Sequence, residues 1–101
     1  MTNNNQKIHS YIGLAMRAGK VVSGDDTTLK DLKKGKVNLI IIAEDASDNT
    51  KKLFKDKSAY RKVDQILFST KVELCLSIGK SPRAVIGIKD KNLSQKILEL
   101  M

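Results

Sequence analysis

Residues 37–45 read VNLIIIAED, and the four consecutive apolar residues Leu39 to Ile42 constrain the fold most. A strand with one solvated face alternates apolar and polar side chains. A strand that is apolar at every position must be covered on both faces. The remaining chain therefore has to supply helices for two sides of a sheet.

The flanking segments meet that demand. From Gln6, Ile8, Tyr11, Ile12, Leu14, Ala15 and Ala18 fall at helical spacing, and Gly19 is a suitable stop. Residues 1–5, MTNNN, read as a frayed terminus that offers an Asn as helix cap. KVV at 20–22 reads as a short first strand broken by Gly24. Leu29 and Leu32 form a narrow seam on a second helix that ends at Gly35. After the central strand, Ser47 caps a helix whose Leu53, Phe54 and Tyr60 are expected inside. DQILFS at 64–69 and AVIGI at 84–88 read as strands. The closing segment carries Leu93, Ile97, Leu98 and Leu100 at helical spacing.

KVELCLSIGK at 71–80 is ambiguous. Val72, Leu74, Leu76 and Ile78 alternate as in a strand. Val72, Cys75, Leu76 and Gly79 equally form a helical stripe. The strand–helix alternation of an α/β sandwich favours the helix. The expectation is a single domain over residues 1–101, an α/β fold. It is a three-layer α/β/α sandwich with a central four-stranded mixed sheet and about five helices. In such a sheet function gathers where loops leave the strand ends. Here those loops are 23–26, 44–47 and 79–83.

The chemistry available is narrow. His9 and Cys75 are the only His and the only Cys, which leaves no metal site and no nucleophile–base pair. GKS at 79–81 has Leu74 where a phosphate-binding loop needs its first Gly, and Pro82 follows. Asp25, Asp26, Glu44 and Asp45 offer a divalent-cation pocket as a minor alternative. No catalytic residue, cofactor or small-molecule substrate is expected. One cysteine, no apolar leader and no long apolar run suggest a cytoplasmic protein without a membrane partner.

Charge points elsewhere. Nineteen Lys and Arg face eleven Asp and Glu, a formal net charge of +8. That excess favours a polyanionic partner. The chain has no basic tail, so folding must assemble the surface. Asp25 and Asp26 nevertheless precede the densest lysine run, where Lys30, Lys33 and Lys34 share a helix face. Lysines hold a backbone without reading sequence. Aspartates accept hydrogen bonds only and suit the N–H donors of a guanine edge exposed in irregular RNA. Simple helix capping is the competing explanation.

IGLAMRAGKVVSG at 12–24, LKKGKVNLIIIAEDASDNT at 32–50 and IGKSPRAVIGI at 78–88 closely resemble the YlxQ-like bacterial proteins. These belong to the superfamily of kink-turn-binding ribosomal proteins of the L-seven-Ae and L-thirty-e type. The resemblance runs over nearly the whole chain from about Gln6. It implies RNA binding without catalysis, in association with the ribosome or RNA machinery. It also implies insertion of the second helix's N-terminus at tandem sheared G·A pairs. Gly24 falls at the loop glycine of kink-turn binders, Asp26 where they carry Asn, Thr27 where they carry Glu, and Lys30 at their Lys. Lys34 falls at a basic residue near the helix end. Glu44, Asp45 and Ala46 match the loop after the central strand. Ser81, Pro82, Arg83 and Ala84 match the loop over a flipped-out nucleotide. Lys20, Asp25 and Lys33 complete the expected RNA-binding set.

Two departures stand out. Asp26 lacks the amide donor of Asn, and Thr27 lacks the carboxylate of Glu, which Asp25 or Asp26 replaces only by shifting. The Pro82–Arg83 pair is also more polar than many flipped-base loops. The expected partner is structured RNA, bound by a monomer. The alternative is a protein–protein adaptor that keeps the fold without specific RNA binding.

Overall fold

In a computed structural model, the protein is described over residues 3–101. The elements follow in the order α1 (Asn3–Arg17), β1 (Val21–Ser23), α2 (Asp25–Lys33), β2 (Leu39–Ile42) and α3 (Asp48–Tyr60). Then come β3 (Asp64–Leu67), α4 (Lys71–Ile78), β4 (Val85–Ile88) and α5 (Lys91–Glu99). The sheet order is β1-β4-β2-β3. β4 is antiparallel to both β1 and β2, while β3 is parallel to β2. This is the expected mixed sheet.

β2 and β4 form its centre, and all their residues are buried. Side chains alternate between the faces of a strand. Leu39, Ile41, Ile86 and Ile88 pack with Ile8, Ile12, Leu74, Ile78 and Ile97, under α1, α4 and α5. Ile40, Ile42 and Val85 pack with Leu32 and Phe54, under α2 and α3. Two separate cores on one sheet make the sandwich. Gly87 lies on the α2/α3 side of the sheet, where no side chain fits. A Cβ would lie 2.9 Å from a Val22 methyl and 3.2 Å from both Val37 methyls.

Several inward assignments need correction. Leu14 is 46% exposed and Ala18 is exposed, because they fall off the Ile8–Ile12–Ala15 stripe. Tyr60 is 80% exposed at the last residue of α3. On α4 the buried stripe is Leu74–Ile78. Val72 and Leu76 are 57% and 75% exposed, and Cys75 is half-buried. The segment is helical as expected but presents the other face. The strand at 64 stops at Leu67 because Ser69 turns the chain with φ of 66°. The expected fraying at residues 1–5 falls partly on Met1 and Thr2, outside the described residues; α1 is helical from Asn3.

His9 ties α1 to α4. Its Nδ1 is 2.7 Å from Ser77 Oγ and its Nε2 is 3.1 Å from Ser69 Oγ. Its ring lies 4.9 Å from that of Phe68. Burial lowers the imidazole pKa below the ordinary 6.5, partly offset by the charge of Glu73. The folded state therefore holds the neutral ring.

Two outcomes follow. Gly87→Ala lowers stability by about 1–3 kcal/mol through overpacking, as read by urea unfolding. Val37→Ala, added to it, recovers part of that loss. The unfolded chain takes up a proton at His9 more readily than the folded one. Stability is thus fully present above the ordinary 6.5 and declines as pH falls below it. Urea midpoints measured against pH show a shallower decline for His9→Gln.

Candidate nucleic-acid interface

Each of the three mutually parallel strands β1, β2 and β3 is followed by a helix, α2, α3 and α4. Topology alone therefore brings three helix N-termini to one end of the sheet. The segment leading into β4 arrives at the same end, since Ser23 pairs with Ile86 and Ile42 with Val85. The loops at 23–26, 44–47 and 79–83 are thus neighbours. Backbone bonds lock them: Gly24 N donates to Val85 O at 3.1 Å and Ala43 N to Ala84 O at 2.8 Å. Glu44 N donates to Ser69 O at 2.8 Å, adding the β3–α4 turn. That turn was missed in the sequence, where 68–69 read as strand end.

Gly24 is the N-cap of α2 with φ of 89°, a conformation that disfavours a side chain. It makes no side-chain cap hydrogen bond. Asp25 and Asp26 are the first two helical residues, so neither acts as the cap. They sit where the helix dipole favours negative charge. Asp25 Oδ2 accepts from Thr50 Oγ1 at 3.4 Å, which links α2 to α3. Asp26 is exposed and has no side-chain partner among the described residues. Thr27 and Lys30 are likewise exposed, while Thr28 and Leu32 form the buried face of α2. Asp26 and Lys30 lie one turn apart, so the carboxylate and the ammonium form one outward stripe.

Asp45 has structural work. Its Oδ1 accepts from Lys71 N at 2.9 Å and supports the start of α4, beside the Thr70 cap. Ala46 is buried, whereas Glu44 is exposed. Among the described residues no three of His, Cys, Asp and Glu converge to hold a metal ion. The four carboxylates weighed as a cation pocket are spread over separate loops, with Asp25 and Asp45 facing other partners.

Ser81 and Pro82 are exposed, with Arg83 and Ala84 half-buried. Arg83 Nη1 donates to Ser81 Oγ at 2.8 Å, and its Cδ and Nε lie 3.8 Å from where a Gly24 Cβ would stand. Arg83 thus lies over the loop that starts α2. Its buried Nε has no hydrogen-bond partner among the described residues.

The structure does not bring every expected residue to this end. Lys33 is the last residue of the nine-residue α2 and Lys34 its C-cap. At ~1.5 Å per residue, both stand roughly 12–14 Å from Asp25 along the axis. Lys20 precedes β1, and its carbonyl accepts from Lys89 N, at the opposite end of the sheet.

A mixed four-stranded sheet lies between two helical layers, with three helix starts converging on one end: an α/β/α sandwich. Residues 6–98 match the Ribosomal protein L7Ae/L30e/S12e/Gadd45 family, and the chain belongs to it. It is 44% identical over 98 residues to "RNA-binding protein YlxQ" of Enterococcus faecium, covering 97% of this chain and 94% of that one. It is 39% identical over 90 residues to "RNA-binding protein YlxQ" of Bacillus subtilis, covering 89% and 90%. Among solved structures, a protein of unknown function from Bacillus halodurans C superposes with a TM-score of 0.90 at 35% identity, covering 93% and 95%. The Giardia lamblia 15.5kD RNA binding protein shares the fold, with a TM-score of 0.81 at 20% identity, covering 97% and 84%. No described helix is long and apolar enough to cross a membrane.

The two aspartate roles separate in a stability measurement. Asp45→Ala removes the bond to Lys71 N and costs about 1 kcal/mol in urea unfolding. Asp26→Ala removes no hydrogen bond and stays within about 0.5 kcal/mol of the parent.

Proposed function

We propose that this chain is a non-catalytic RNA-binding protein whose loop end reads an irregular, structured RNA of the kink-turn type. The observation that carries the reading is the exposed Asp26 at the start of α2, unpartnered among the described residues and one turn from exposed Lys30. Family membership and the two relatives named as RNA-binding proteins support it.

The roles follow from side-chain chemistry. Asp26 accepts hydrogen bonds from the N–H groups of an exposed guanine edge. Asp25, held by Thr50, fixes the neighbouring helix start. Thr27 adds a hydroxyl. Lys30 and Arg83 neutralise phosphates flanking the paired bases. Ser81 to Ala84 cover a displaced nucleotide, and Glu44 and Ala46 border the opposite side. This end is not a general phosphate trap. Asp25, Asp26, Glu44, Asp45, Asp48 and Glu73 stand there against Lys30, Lys51, Lys71, Lys80 and Arg83. An acidic balance of that kind discriminates against plain duplex and leaves recognition to base edges.

The test is a fluorescence-anisotropy titration of a kink-turn RNA and of the same RNA with its G·A pairs replaced, at two salt concentrations. The parent binds the intact RNA tightly and the altered RNA weakly. Asp26→Ala narrows the gap by about 1–3 kcal/mol, the worth of a good base contact. Lys30→Ala weakens both RNAs alike and reduces the salt slope by about 1. Equal affinity for the two RNAs, unaffected by Asp26→Ala, contradicts the reading. Absence of binding at either salt concentration favours an adaptor role for the fold.

A further inference from the structure

The strand topology that gathers acidic residues at one end gathers basic residues at the other. α1, α2 and α3 all finish there, and α5 begins there. Arg17 and Lys20 follow from α1; Lys33, Lys34 and Lys36 surround the end of α2. Arg61 and Lys62 end α3, and Lys89 and Lys91 flank the α5 cap. These nine cations meet three carboxylates. Asp31 pairs with Lys89 at 3.4 Å, Asp90 caps α5, and Asp64 is exposed. The surplus of six at this pole is most of the net charge of +8.

The groups are physically joined. Arg61 Nη1 donates to Lys33 O at 2.8 Å, which fastens α3 to α2. Lys89 N donates to Lys20 O and Asn38 Nδ2 to Lys89 O, each at 2.8 Å. These bonds hold cation-bearing segments from both helical layers together at one end of the sheet.

At the same pole stands Tyr60, 80% exposed. The Arg61 guanidinium lies 5.8 Å from its ring centroid. A chain with only two Tyr, two Phe and no Trp leaves one ring open to solvent beside its densest cation cluster. Lysines that track phosphates, with an aromatic ring for a base, make a single-strand platform.

We infer that this pole is a second nucleic-acid surface, binding the backbone of a single-stranded RNA segment while Tyr60 stacks on one of its bases. A structured RNA held at the loop end and its unpaired flank would then occupy opposite ends of one molecule. The inference does not depend on the loop end reading a kink-turn.

The probe is a short fluorescein-labelled oligouridylate, which carries no G·A pairs. The variant Lys36→Gln/Lys62→Asn/Lys91→Gln removes three exposed cations; Asn suits the φ of 59° at Lys62. It reduces the salt slope of oligouridylate binding by about 2, at about 0.7 per phosphate on single strands. Tyr60→Ala weakens binding at least about fivefold, and Tyr60→Phe restores it. In a Tyr11→Phe background, oligouridylate quenches the emission of Tyr60, the sole remaining tyrosine. Asp26→Ala leaves this binding unchanged while altering G·A discrimination, so the two surfaces fail or stand separately. Oligouridylate affinity unmoved by both the triple variant and Tyr60→Ala overturns the inference. So does displacement by polyglutamate without any Tyr60 quenching. Preferential binding to phosphatidylglycerol vesicles overturns it in favour of a membrane surface.

Discussion

The rest of the structure depends on the antiparallel pairing of β2 with β4. Both strands are buried along their whole length. Their backbone groups pair with each other and with the outer strands β1 and β3, and their side chains divide between two cores. One helical layer alone would leave Ile40, Ile42 and Val85, or Leu39, Ile41, Ile86 and Ile88, in water. At about 25 cal/mol per Å² of apolar surface, neither face can be left uncovered. The doubly covered pair thus forces the helices onto both sides and fixes which strand ends carry loops.

From that constraint comes the polarity of the molecule. Three parallel strands each hand the chain to a helix at one end, so the starts of α2, α3 and α4 collect there, while α1, α2 and α3 end at the other. Sequence follows dipole. Asp25, Asp26, Asp48 and Glu73 occupy first turns, while Arg17, Lys33 and Lys57 occupy last turns. Each placement is worth only a few tenths of a kcal/mol to about one. Together they separate charge across a body about 32 Å long. The proposed base reader and the proposed single-strand platform are the two ends of this one arrangement.

Much of this was legible in the sequence because it rests on period and punctuation. The LIII run announced a strand covered on both faces. Gly19 and Gly35, both at positive φ, marked two helix ends. The strand–helix alternation decided the ambiguous 71–80 segment correctly as a helix. What failed was the choice of face on short elements. α4 spans eight residues, and its apolar residues fit two stripes. Only the position of α1 selects Leu74 and Ile78 over Val72, Cys75 and Leu76. Tyr60 was misplaced because an aromatic ring at a helix end looks like core by spacing alone, whereas the structure leaves it 80% exposed. The three site loops were identified from strand ends alone, and the structure brings them together. The separation of Lys20, Lys33 and Lys34 from that end was not visible, since it follows from strand direction and helix length. Side-chain capping by the aspartate pair also needed coordinates to be set aside, because Gly24 itself occupies the cap; their place at the positive end of the helix dipole stands.

The most direct test of the central claim is amide chemical-shift mapping of the isotope-labelled protein during titration with a kink-turn RNA that carries a single-stranded flank. The account predicts two separate sets of perturbed amides, one at residues 24–30 with 81–84 and one at residues 60–62. Truncating the flank removes only the second set. Perturbations confined to any other surface, with residues 24–30 silent, would contradict the account.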